Sequence, residues 1–130
     1  MTWRAAIVVP RLAPSVVGHL LAALTRINYD LIRERSAPLL YRSGVVYQAE
    51  GRDAHGMRED WRTIPVVREM GAGDCEDLAC WRAAELWMLG EPNAAAVSTS
   101  RAVPGLGVVY HIVVRRADGT IEDPSKRLGM

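Results

Sequence analysis

The chain has 130 residues, 49% of them hydrophobic and 24% charged, enough for one compact domain with its own core. With 16 basic against 15 acidic residues the formal charge is +1, so no basic field is available to hold nucleic acid or an anionic membrane. No run reaches the roughly 18 apolar residues of a membrane span, and the opening apolar run is short, with no small-residue cleavage site before Pro10. The expectation is a soluble protein that acts in the cytoplasm, or is exported by a route the sequence does not show.

Residues 3–9 read as a short strand, ended by Pro10. From residue 14 to about 35, Val17, Leu20, Leu21, Leu24, Ile27, Leu31 and Ile32 recur at helical spacing. Pro14–Ser15 suits the start of that helix and Pro38 its stop. Residues 45–47 read as a strand and 51–60, polar with glycines, as a loop. Thr63 is the expected N-cap of a short helix with Pro65 in its first turn. Gly71-Ala-Gly-Asp then interrupts the chain before a stronger helix over about 75–89, stopped by Gly90 and Pro92. Residues 94–101 and 108–116 read as strands, with a short third over 120–123. Helices come first and strands after, which predicts an α+β fold with an antiparallel sheet, as a single domain over 1–130.

Two cysteines are present, Cys75 and Cys80, five apart in one expected helix. Such residues point in different directions, so a disulfide between them is geometrically poor. Free thiols fit a reducing compartment and leave one open to catalysis. Cys75 is the candidate, because it falls in the first turn of its helix. Unpaired N–H groups and the positive dipole end favour a thiolate there, and the same groups can stabilise an oxyanion.

His111 lies within Gly107-Val-Val-Tyr-His-Ile-Val-Val-Arg, a β-branched run that can aim the ring at a helix end. Asp123, in Thr120-Ile-Glu-Asp-Pro-Ser, closes the following strand. A carboxylate bonded to one imidazole nitrogen fixes the tautomer, so the other nitrogen can take the thiol proton. The turn between the strands decides whether the two can meet. A two-residue loop at Asp118-Gly119 sets Asp123 opposite Val114, on the face away from His111. A three-residue loop, Ala117-Asp118-Gly119, sets it opposite Val113, on the face of His111. The second needs Gly119 in the left-handed region, which an Asp-Gly pair suits. The diagonal neighbours are then about 5–8 Å apart at Cβ.

These residues resemble a family. A glycine-rich approach to Cys at a helix start, His in a strand, then Asp-Pro some twelve residues later is similar to the transglutaminase-like superfamily. Gly73-Asp-Cys-Glu-Asp-Leu-Ala resembles small bacterial and phage transglutaminase-like cysteine proteinases, and Trp61-Arg-Thr-Ile-Pro resembles the segment before their cysteine. The resemblance spans about residues 45–126, with the strand and helix of 1–40 in front. It implies a papain-like core, the Cys helix packed on the sheet, and thiol acyl-transfer on a peptide or glutamine carbonyl without a cofactor. Cys75, His111 and Asp123 are then the catalytic residues; Trp61, upstream in the sequence, and Asp74, next to Cys75, are the candidate substrate-binding side chains. The calcium sites of larger transglutaminases are not implied.

Other readings stand beside it. Asp74 and Asp77 are expected to cap the Cys75 helix, where their charge opposes a thiolate; Asp123 alone could cap the turn at Pro124-Ser125. Zinc held by Cys75, Cys80, His55 and His111 is disfavoured, because a Cys-x4-Cys spacing inside a helix is wrong for a chelate pair, so no metal is expected. The alternative function is an idle centre on the same fold, a structural or adaptor protein in a larger assembly such as a phage particle.

Overall fold

The computed structural model describes residues 14–49, 60–105 and 107–130. The expected strand over 3–9 and the loop over 51–59 lie outside the described residues. The first helix, α1, spans Pro14–Arg35, as the apolar spacing predicts. Its inner face buries Leu21, Leu24, Thr25 and Asn28. Thr25 Oγ1 donates back to the Leu21 carbonyl at 2.8 Å, which hides its polarity inside the helix.

Asn28 has a longer reach. Its Oδ1 accepts from the Ile64 N–H at 3.0 Å, at the start of the second helix, α2 (Ile64–Met70). Thr63 holds the extended N-cap conformation, but its side chain makes no capping bond. The expected side-chain cap is thus absent: Pro65 has no N–H to offer Thr63, and Asn28 of α1 instead holds the first N–H of the helix. At the other end Gly71, at φ 73°, closes α2 in the left-handed region.

A short 3-10 turn at Leu40–Arg42 leads to β1 (Val46–Tyr47), which pairs in parallel with β2 (Ala72–Gly73). Val46 N–H donates to the Gly71 carbonyl at 3.2 Å and Gln48 N–H to that of Gly73 at 2.9 Å. A Cβ at Gly73 would stand 3.1 Å from Asp77 Cβ and 3.2 Å from both Leu78 Cδ2 and Val67 Cγ1. A side chain there would fit only if these neighbours shift by a few tenths of an ångström. Gly73→Ala is expected to cost about 1–3 kcal/mol by overpacking, read as a lower urea midpoint; an unchanged midpoint would show that the neighbours give way freely.

That next helix, α3 (Cys75–Met88), is buried on most sides. Ala79, Cys80 and Leu86 pack with Leu21 and Leu24 of α1 and with Ile112 and Val114 of the sheet. Leu78 and Trp81 pack into a second cluster with Leu40, Val45, Ile64 and Val67. Small residues at 79, 83 and 84, all fully buried, let the neighbours close on the helix. The sheet is β3 (Ala95–Val103), β4 (Gly107–Arg115) and β5 (Ile121–Glu122), antiparallel in the order β3-β4-β5. A last helical turn, α4 (Pro124–Arg127), follows β5 directly. The arrangement is mixed α and β, with the cysteine-bearing helix against an antiparallel sheet. No described helix is long and apolar enough to cross a membrane.

Candidate active site

The hairpin between β4 and β5 sets the geometry. Val114 pairs with Glu122 and Arg115 with Ile121. Arg116 N–H donates to the Thr120 carbonyl at 2.8 Å and Gly119 N–H to the Arg116 carbonyl at 2.9 Å. Residues 117–119 are thus a three-residue loop, and Gly119 takes φ +88°. This register carries Asp123 to the place opposite Val113, on the face of His111. The two side chains meet: His111 Nε2 lies 2.9 Å from Asp123 Oδ2. The His111 and Asp123 side chains are 25% and 17% exposed, partly sheltered from solvent. Asp123 Oδ1 meanwhile accepts from the Lys126 N–H at 3.3 Å and caps α4. Cap and histidine partner are therefore one residue, with one oxygen for each.

Cys75 reaches the same strand through a gap in its ladder. In an antiparallel pair, alternate residues turn their N–H groups to the same neighbour. Arg116 donates to β5, so Val114 and Ile112 face that side too. The register would oppose Ile112 to Pro124, but there the chain has turned into α4, and the Pro124 carbonyl accepts from Leu128 N–H at 3.0 Å. The Ile112 N–H donates instead to the sulfur of Cys75. The thiol thus sits against the peptide bond that joins His111 to Ile112.

The electrostatics differ from the helix-end expectation. Burial, then the Glu76 carboxylate, push the Cys75 thiol well above its ordinary value, with only the Ile112 N–H pulling strongly the other way. Glu76 Oε2 is 3.4 Å from Sγ. The dipole end is filled by acid: Asp74 and Asp77 form a reciprocal capping box. Asp74 Oδ1 takes the Cys75 N–H at 2.7 Å and Asp77 Oδ2 takes the Asp74 N–H at 3.1 Å. The expected preference for thiolate is corrected on these grounds, and so is the expected oxyanion role of the first helix N–H groups. Those of Cys75 and Asp77 are already bonded to Asp74.

Iodoacetamide should accordingly label half-buried Cys75 before fully buried Cys80, but slowly at pH 7. The rate at Cys75 should keep climbing about tenfold per pH unit past pH 9, since only the thiolate reacts. A rate already flat at pH 7, measured by mass spectrometry, would mean a standing thiolate and contradict this electrostatic picture.

Around the thiol, Asp77 is the anchor. Fully buried, it accepts from the Arg62 N–H at 2.7 Å and pairs with the Arg62 guanidinium at 3.5 Å. Burial pushes its carboxyl up to about 6 despite those donors. The bonds fasten the 60–63 segment to α3, and Trp61 packs against the cluster that Cys75 also borders. The Asp74 carboxylate also acts on the thiol, raising it further. Cys80 donates to the Leu21 carbonyl at 3.5 Å, and burial pushes it up to about 12, so it is a core thiol facing α1. Of the disfavoured zinc set, His55 lies outside the described residues. Asp74, Cys75 and Glu76 offer ligand atoms within 4.8 Å of one another, though such acidic groupings are common without an ion, and one Asp74 oxygen is committed to the cap.

One neighbour has no signal in the sequence beyond a strand position. The Tyr47 phenol, half-buried, is raised above its ordinary value by burial and then by the negative charge of Asp74, Cys75, Glu76 and Asp123. It therefore lies within electrostatic range of this site, while its ring packs against the second core cluster. No protein-family model, curated protein or solved structure matches the chain.

Proposed function

We propose that the protein is a thiol-dependent acyl-transfer enzyme, a cysteine peptidase, amidase or transglutaminase-like transferase acting on a peptide or glutamine carbonyl. The reading includes a papain-like core and requires no cofactor. The observations that carry it are two contacts at adjacent residues of β4: the His111 Nε2–Asp123 Oδ2 contact of 2.9 Å, and the bond from the Ile112 N–H to the Cys75 sulfur. Asp123 fixes the ring with a proton on Nε2. Nδ1 is then the ring nitrogen that this reading assigns to receive the thiol proton.

The chemistry follows from a neutral thiol. As sulfur adds to the carbonyl, its proton passes to His111 Nδ1, so base and nucleophile act in one step rather than from a standing ion pair. His111 next protonates the leaving amine, and a thioester remains on Cys75. Water or a second amine then attacks that thioester, with His111 as base again, and the thiol is restored. Trp61 and Asp74 are the side chains that this reading assigns to a peptide or protein substrate.

A second reading is favoured by one observation. The raised thiol and the N–H groups closed by Asp74 also suit an idle centre, kept as a structural or adaptor protein in an assembly such as a phage particle. Acetylation by p-nitrophenyl acetate separates the two. The acyl-transfer reading expects one acetyl group on Cys75, absent in Cys75→Ala and formed about 10²–10⁴ times more slowly in His111→Ala. Equal, slow acetylation of both cysteines, with no dependence on His111, would support the idle scaffold.

A further inference from the structure

When sulfur adds to a carbonyl, the oxygen gains charge and needs donors already aimed at it. The helix-end N–H groups of Cys75 and Asp77 are taken by Asp74. Tyr47 stands beside them with a donor to offer. Its strand is fixed on both sides: Tyr47 N–H donates to the Leu128 carbonyl at 2.9 Å, and Gln48 N–H to the Gly73 carbonyl at 2.9 Å. The pairing sets Tyr47 alongside Gly73, two residues before Cys75. A side chain at the paired Gly73 would face Asp77 and Leu78 of α3, and the charges of Asp74, Cys75, Glu76 and Asp123 act on the Tyr47 phenol, whose ring also packs on the second core cluster.

We propose that the Tyr47 hydroxyl is the hydrogen-bond donor to the oxyanion formed when Cys75 attacks an acyl substrate, a role that rests on the acyl-transfer reading. In that step the Sγ–C bond forms, the carbonyl π pair moves onto oxygen, and the thiol proton passes to His111. Tyr47 keeps its own proton throughout. The carboxylates around it oppose phenolate, so the group remains a donor, and burial strengthens the bond it makes. This explains how a helix end closed by its own cap can still serve acyl transfer.

The test compares two reactions of the same thiol in the full chain. Acetylation by p-nitrophenyl acetate develops an oxyanion; alkylation by iodoacetamide, at a saturated carbon, develops none. In Tyr47→Phe, which keeps the ring, acetylation of Cys75 should fall about a hundredfold or more, with alkylation unchanged. Unchanged acetylation overturns the proposal, and so does an equal fall in both reactions, which would mean that Tyr47 only shapes or tunes the thiol. Acetylation of the parent protein that persists in Cys75→Ala would instead sink the acyl-transfer reading, and the role of Tyr47 with it.

Discussion

Asp123→Asn is expected to slow acylation of Cys75 about a thousandfold or more, while leaving its alkylation by iodoacetamide unchanged. The carboxylate has two tasks and an oxygen for each: Oδ2 meets His111 Nε2, and Oδ1 accepts from the Lys126 N–H. Asparagine has one oxygen. If that oxygen keeps the histidine, its amide N–H₂ confronts the Lys126 N–H and the cap is lost, at about 1 kcal/mol. If the oxygen keeps the cap, the amide donates to Nε2 and the ring proton must sit on Nδ1, where no thiol proton can then be received. Asp123→Ala loses both functions, so its stability should fall by about the same 1 kcal/mol with acylation equally slow. Cys75 keeps its contacts with Ile112 and Glu76 in both variants, which is why alkylation is the control. Asp123→Asn acylating at the parental rate would remove Asp123 from the mechanism and leave Cys75 and His111 as a dyad.

The contact between His111 and Asp123 is legible in the sequence because local chemistry fixes it. Asp118-Gly119 selects the turn, the turn sets the register, and a period of two then decides which side chains share a face. The start of α3 is legible for a similar reason, since Gly71, Gly73 and Asp74 mark a break and a cap. What the sequence hides is long-range. Nothing local pairs Val46 with Ala72, sends Asn28 to the start of α2, or brings Tyr47 to Cys75. The α4 turn is too short to show a period, and Pro124 there reads equally as a strand stop. The thiol's environment was open to misjudgement because two effects oppose each other at one helix end. A dipole favours charge on sulfur, but burial and the Glu76 carboxylate oppose it more strongly, and only the structure shows how deep Cys75 lies.

The largest loss of stability is expected from a residue outside the site. Arg82, whose side chain is 13% exposed, bridges two carboxylates that are each 5% exposed. Its Nε donates to Glu122 Oε2 at 2.6 Å and its Nη1 to Glu85 Oε2 at 2.7 Å. Glu85 Oε1 also holds the Leu40 N–H at 2.6 Å, and Glu122 is shared with Tyr41 and with Arg116, whose Nη1 is 3.0 Å from Oε1. Arg82→Met keeps the stem but leaves two buried acids with less compensation, so it should cost about 3–5 kcal/mol. That is a large part of the roughly 5–15 kcal/mol a domain has in total. The deficit should depend on pH in a stated direction. Burial works to raise the Glu122 carboxyl, but the bonds from Arg82 and Tyr41 outweigh it and hold the group below its ordinary 4.5. A lowered folded-state value adds stability above the ordinary value and loses it as pH falls through the lowered one. The gap between parent and variant should therefore be widest near pH 7 and shrink in acid. Urea titrations at pH 7 and pH 4 measure both. A loss below about 1 kcal/mol would place the pair with exposed bridges of little worth, and the order of β5 beside Asp123 would then have to come from the hairpin alone.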